Sequence, residues 1–302
     1  MVTDPITFVL GSEVGERSSR ANMGPAVATE LRLLTYLSPG LPLALFGAVA
    51  DHLRRCPALG GLGIALASEE RVSGPDRSSV DRSEDPFSRG EADVGFVCAP
   101  TYVGLRDRER LPAELLGVAP VFADGRGRGK PVYFCDVIVR RGSSARSFRD
   151  LKGGTWAYND PCSLSGHGGL AARLGSQGKA GSFFGRTVRS GSHPTSVRLV
   201  AGGGADVASI DSNVLRLLLE RSPALGDKVR ILETWGPYPI QPVVVRAGIG
   251  LALKGALRRS LLRTEAHPLT RLELESFGLK RFVAVGEEDY HAGRLPQPSL
   301  GR

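Results

Sequence analysis

Two runs of small, hydroxyl-bearing residues hold the chemistry of this chain. The first is Asn159-Asp160-Pro161-Cys162-Ser163-Leu164-Ser165-Gly166, and the second is Ser190-Gly191-Ser192-His193. Each sits where a strand should end and a helix should begin. The first turn of a helix has unpaired backbone N–H groups and a partial positive charge, so it suits an anion. Serine hydroxyls and an imidazole add donors there, and Gly166 allows a ligand close to the backbone. Two such helix starts from one sheet would converge on one oxyanion. The pattern points first to an anion-binding cleft and second to an enzyme.

Composition narrows the class. A chain of 302 residues with 41% apolar content suffices for two compact lobes. The formal net charge of +8 suits an acidic ligand. The basic residues are scattered and form no stripe interleaved with aromatics, which argues against nucleic acid. Cys56, Cys98, Cys135 and Cys162 have neither CxxC nor zinc-site spacing, so no metal is expected. Gly202-Gly203-Gly204 precedes a strand instead of opening a helix, so it is a turn and not a nucleotide-phosphate loop. No cofactor is expected. No window is apolar enough to span a membrane. Phe8-Val9-Leu10 is too short for a secretory leader core. As written the chain is therefore expected in the cytoplasm, or in the periplasm if its start is incomplete or mis-assigned; Met23 is an alternative start.

The elements that must position the two runs follow from periodicity. Strands are expected at Leu31–Leu37, Gly60–Ala67, Asp93–Cys98, Pro131–Arg140, Thr155–Tyr158, Thr187–Val188, Asp206–Ile210, Val229–Thr234 and Gln241–Arg246. Helices are expected at Leu43–Arg55, from Ala99, at Ser165–Leu174, Pro194–Ala201 and Asn213–Glu220, over roughly 251–263, and in the tail. Residues 70–86 read as an exposed loop with a short helix. Repeated strand–helix units imply an α/β fold whose sheets are mostly parallel, with ligand beyond the carboxyl ends of the strands. The extended runs 131–140 and 239–246 bracket a self-contained block and read as two crossings between lobes. The expected organisation is a tail over 1–29, a first lobe over 30–137, a second over 138–238, and a return to the first over 239–302 with a C-terminal tail. Hinge bending is expected near 136–140 and 237–243, where Gly236, Pro237 and Pro239 punctuate the return.

The runs Glu91–Tyr102, Lys130–Arg140, Ser147–Gly153, Trp156–Pro161, Ser163–Gly166, Ser190–His193 and Ala205–Asp211 together resemble one known family, in order, over residues 31–285. These are the substrate-binding proteins of phosphate, phosphite and phosphonate ABC transporters, with a type 2 periplasmic-binding fold. The resemblance implies two lobes that clamp a small tetrahedral anion, with a transporter permease as partner. It also implies pocket roles for Ser163, Ser165, Gly166, Ser192, His193 and Asp211. From the first lobe it adds Tyr36, Ala99, Thr101 and Tyr102. Leu164 stands where small polar residues are common in the family, and Cys162 is unusual there.

Plainer readings stand beside these. Ser163 and Ser165 would serve as helix caps without any ligand. Asp211 would cap the helix that begins near Asn213. His193, Tyr36 and Tyr102 would be ordinary core side chains, and Tyr133 and Trp156 read as core or hinge. As an enzyme, Cys162 or Ser165 would be a nucleophile, with His193 as base and Asp211 as orienter. No Gly-x-Ser-x-Gly elbow supports that arrangement. A cytosolic sensor that closes on its ligand is a third reading.

Overall fold

The structure is a computed structural model that describes residues 30–35, 40–68, 86–106, 112–161, 163–176 and 183–291. The expected tail, the loop at 70–86 except its last residue, Tyr36 and Cys162 lie outside the described residues. The chain begins with β1 (Glu30–Thr35), α1 (Leu43–Arg54), β2 (Gly63–Ser68), β3 (Val94–Phe96), α2 (Ala99–Arg106), β4 (Ala113–Leu115) and β5 (Val118–Phe122). Next come β6 (Val132–Arg140), β7 (Thr155–Tyr158), α3 (Gly169–Ser176), β8 (Arg186–Arg189), α4 (His193–Gly202), β9 (Val207–Asp211), α5 (Ser212–Arg221), α6 (Pro223–Gly226) and β10 (Val229–Pro239). The last elements are β11 (Val243–Arg246), α7 (Leu251–Leu261), α8 (Pro268–Glu275) and β12 (Leu279–Ala284).

Two five-stranded sheets carry the fold, in the orders β2-β1-β3-β11-β4 and β10-β6-β9-β7-β8. Each has one reversed strand. In the first sheet it is β11, antiparallel to both β3 and β4. In the second it is β6, antiparallel to both β9 and β10. The remaining strands of each sheet run together, which is the mostly parallel arrangement expected. The reversed strands are the ones entered by a crossing: β6 is reached from β5, which lies outside both five-stranded sheets, and β11 from β10 of the second sheet.

The pairing moves one expectation. Residues 136–140 lie in the middle of β6, where Cys135–Val139 pair with β9 and Val132–Arg140 with β10. A strand held by ladders on both edges is stiff, so this stretch is part of the second sheet and not a free crossing. The division expected after residue 137 falls inside it. The sheets are linked instead by the segments 123–131 and 240–242. The C-terminal region also holds more than helices. There β12 pairs antiparallel with β5 as a separate ribbon, a long-range pairing that local periodicity does not reveal.

Burial explains why these residues form these elements. Helix α1 buries Leu45, Phe46, Val49 and Leu53 at helical spacing, and its partner strands bury Leu31, Leu33, Val94 and Val243–Val245. Segments of the second sheet join that same core, through Tyr133, Leu164, Val214 and Ile240. Gly40 marks how closely the two halves meet. It has a φ of +139°, and a Cβ there would lie 2.5 Å from Val214 Cγ1 and 3.0 Å from Pro194 Cδ. Only glycine fits that approach.

Asp93 locks the first sheet. Its carboxylate accepts from the Arg32 backbone N–H at 3.0 Å, from Arg32 Nε at 3.1 Å and from Arg246 Nε at 3.1 Å, tying β3 to β1 and β11. Burial works to raise its pKa, but the hydrogen bonds from Arg32 and Arg246 prevail and hold it below the ordinary value. A carboxyl with a depressed folded-state pKa stabilises above its unfolded pKa and loses that contribution as pH falls through the folded one. Asp93→Asn is expected to cost roughly 1–2 kcal/mol at neutral pH, because both arginines are substantially solvated. Urea unfolding should show the difference from wild type vanish in strong acid, and a difference that persists there would remove this role.

Candidate functional site

The carboxyl ends of β7, β8 and β9 lie on one edge of the second sheet, since all three run parallel and in register. Each leads into a capped helical start. After β7, Ser163 caps a single π-type turn, Leu164–Gly168, that continues into α3; its Oγ accepts from Gly166 N–H at 3.1 Å. After β8, Ser192 caps α4 by accepting from Thr195 N–H at 3.2 Å. After β9, Asp211 Oδ1 caps α5 by accepting from Asn213 N–H at 2.8 Å. The plain capping readings of Ser163 and Asp211 are therefore realised. Capping uses an acceptor lone pair and leaves each serine hydroxyl proton able to donate. Three helix starts at one edge concentrate N–H donors and dipole there.

The side chains between these caps are linked. Ser165 Oγ lies 3.2 Å from His193 Nε2, and Tyr133 from β6 shares a hydrogen bond with the Ser165 side chain. Gln241, on the segment leading back to the first sheet, donates from Nε2 to Asp211 Oδ2 at 3.2 Å. Ser163, Ser165, His193 and Asp211 are all buried. Burial drives the pKa of His193 down to about 3, so the imidazole is neutral. Burial raises Asp211 to about 6, against the opposing effect of its hydrogen bonds from Asn213 and Gln241. Among the described residues no Lys or Arg is buried. The site thus consists of neutral donors, helix ends and one carboxyl that ionises reluctantly.

Several buried polar atoms here have no partner within the protein. They are His193 Nδ1, both amide atoms of Asn159 and both amide atoms of Asn213. An unpaired buried polar group costs about 1–3 kcal/mol, and such groups mark where a polar ligand would be met. Gly166 is constrained by the same cluster. A Cβ at Gly166 would fall 1.5 Å from Asn159 Oδ1, so the Asn159 amide occupies the place of a side chain.

The structure distributes the sequence candidates unevenly. Ser163, Ser165, Gly166, Ser192, His193 and Asp211 share the edge just described. Ala99, Thr101 and Tyr102 lie on α2 beyond β3 of the first sheet, all buried. The Tyr102 hydroxyl donates to Glu287 and its ring packs edge-on against Tyr290 at 5.7 Å, so it is engaged with the C-terminal segment. Tyr133, Asn213 and Gln241 are site neighbours that the sequence pattern does not single out, and Asn159 enters it only as the first residue of the first hydroxyl run. Tyr133 reads as core or hinge. Only the partner atoms of a folded chain separate an idle amide from an occupied one.

Asp211 gives this arrangement a pH signature. A carboxyl whose folded pKa rises from 3.8 to about 6 contributes stability that is complete below the unfolded value and is lost as pH climbs through 6. Asp211→Asn keeps a capping oxygen and removes the charge. The ligand-free wild type is expected to lose on the order of 2–3 kcal/mol relative to this variant across that range. Melting curves whose wild-type-minus-variant difference is flat with pH would show an unperturbed carboxyl.

Comparison with known proteins places this geometry. The family model of the periplasmic substrate-binding protein of phosphonate ABC transporters matches residues 78–290. Solved structures with similar folds include the binding-protein component of an ABC phosphonate transporter from Pseudomonas aeruginosa. It has a TM-score of 0.70 at 17% identity, over 86% of this chain and 82% of that one. PhnD1 from Prochlorococcus marinus in complex with methylphosphonate has a TM-score of 0.68 at 15% identity, over 87% and 95%. A Xanthomonas citri protein bound to ATP has a TM-score of 0.63 at 20% identity, over 86% and 93%. At these identities the structural likeness speaks for the two-lobed type 2 periplasmic-binding fold alone. The family match extends over most of the chain, from before β3 to the end of the last turn, and the chain belongs to the phosphonate ABC transporter substrate-binding family.

Proposed function

We propose that this protein binds a small phosphorus oxyanion, with a phosphonate as the leading candidate, and delivers it to the permease of an ABC importer. The observation that carries this reading is the meeting of the Ser165–His193 pair with three capped helix starts at one sheet edge. Such an edge offers directed donors without a full counter-charge, which suits reversible capture of an anion. Methylphosphonate, held by the Prochlorococcus protein of the same fold, is the natural first probe; phosphate and phosphite complete the panel. A periplasmic location accompanies membership of the family. Among the described residues no helix is long and apolar enough to cross a membrane.

The geometry favours binding over turnover. A catalytic serine needs a base whose second nitrogen is oriented by a carboxylate. His193 Nδ1 has no such partner, and Asp211 is occupied by the α5 cap and Gln241. A histidine with its pKa near 3 is also a weak proton acceptor.

The lobes divide, on this reading, at the segments 123–131 and 240–242. In this structure Gly40 of the first lobe already lies against Val214 and Pro194 of the second, the approach that a closed clamp requires. A ligand drives closure only through its greater affinity for the closed form.

Methylphosphonate, phosphite or phosphate at about 100 times its dissociation constant should stabilise the protein by about 2.7 kcal/mol. His193→Ala and Ser165→Ala should each weaken binding by roughly 1.5–3 kcal/mol in calorimetry while remaining folded. A flat thermal shift across the panel at low salt would sink the functional reading. Wild-type affinity in both variants would return the two residues to purely structural roles.

Small-angle scattering tests the clamp separately. The radius of gyration should fall when ligand saturates the protein, as two lobes close about their links. An unchanged radius with full affinity would mean a rigid pocket.

A further inference from the structure

We infer that Asn159, which follows β7, is a ligand contact of this site, an assignment that rests on the oxyanion-binding reading above. Three observations carry it. First, Asn159 is completely buried, yet neither atom of its side-chain amide has a partner in the protein. Second, its backbone is already fixed without that amide. The Asn159 carbonyl accepts from Gly191 N–H at 3.2 Å, and the neighbouring Tyr158 carbonyl accepts from Ser190 N–H at 2.8 Å. The turn that follows is held by the Ser163–Gly166 bond. Asn159 therefore stands between the two hydroxyl runs, with a side chain that neither needs for its own structure. Third, the amide lies over Gly166: the point 1.5 Å from Asn159 Oδ1 where a Gly166 Cβ would sit is also 3.0 Å from Ser163 Oγ. The amide thus borders the hydroxyl and the helix start that face the anion.

The residue type fits that task. An amide offers two N–H donors to an oxyanion and carries no charge. With no Lys or Arg buried among the described residues, directed neutral donors set affinity. A carboxylate of the same shape at this position would present only acceptors and a negative charge to the anion, and would be repelled by it. Asn159 in this way adds donors to the anion site without adding charge.

The test compares Asn159→Asp and Asn159→Ala with wild type, using methylphosphonate, phosphite and phosphate as probes in calorimetry at mildly alkaline pH. Melting temperatures of the ligand-free proteins serve as the check on folding. Asn159→Ala is expected to weaken binding by about ten- to a hundredfold. Asn159→Asp, although isosteric, is expected to weaken it further; its ligand-free melting temperature should fall below wild type at this pH, because a buried carboxylate without a partner is costly to ionise, while a single cooperative unfolding transition shows that it remains folded. A purely structural asparagine gives the opposite order, because the isosteric variant would bind like wild type and only the truncated one would suffer. Wild-type affinity in Asn159→Asp overturns the inference alone. Failure of the wild type to bind any of the three probes overturns the functional reading, and this inference with it.

Discussion

A buried carboxylate with no buried cation among the described residues must be satisfied by hydrogen-bond donors, and at Asp211 that requirement ties three elements together. Its two oxygens are divided between structures. One accepts from the first turn of α5 and the other from Gln241 on the return to the first sheet. The backbone of the same residue closes the β6–β9 ladder opposite Cys135. One side chain thereby joins the central strand of the second sheet, the helix that follows it and the link between sheets. Because these donors are neutral, they do not cancel the cost of burying charge, and the carboxyl keeps its proton to higher pH than usual.

The same economy of charge characterises the rest of the site. Arginines are plentiful in this chain, and they form ion pairs at its edges, such as Arg189 with Asp160 at 2.6 Å and Arg126 with Asp136 at 2.7 Å. None among the described residues is buried in the interior. The interior instead presents hydroxyls, amides, a neutral imidazole and helix starts. A guanidinium in low dielectric would bind an anion tightly and release it reluctantly. Dipoles and neutral donors give directed contacts that a carrier can both make and break. The unpaired atoms of Asn159, Asn213 and His193 belong to this logic, since they are groups whose hydrogen-bonding capacity the protein leaves unused.

The chain path between the two sheets is symmetric. Each sheet receives one reversed strand from the other half, β6 in the second and β11 in the first. Those strands are ladder-bonded on both sides, and the short segments 123–131 and 240–242 lead into them. The rigid parts then carry the site. Tyr133 on β6 and Gln241 just before β11 both reach it, so the links between halves and the lining of the site are continuous.

The sequence by itself determined the elements and the polar edge. Apolar periodicity placed α1, β7 and α5 nearly to the residue, because buried faces impose a fixed spacing on a helix or strand. Serine before a helical run marked Ser163 and Ser192, because capping is a local interaction between a side chain and its own first turn. Asp211 was legible for the same local reason, and His193 through the resemblance in the order of the runs. Tertiary structure decided what local rules cannot reach. The extent of β6 depends on strands 207–211 and 229–239 that flank it, which is why the crossing expected at 136–140 became the middle of a sheet. The β5–β12 ribbon depends on two segments far apart in the chain. Tyr102 turned to Glu287, and Asn159 was left without a partner, because a polar atom's fate is settled by what packs against it and not by its neighbours in sequence.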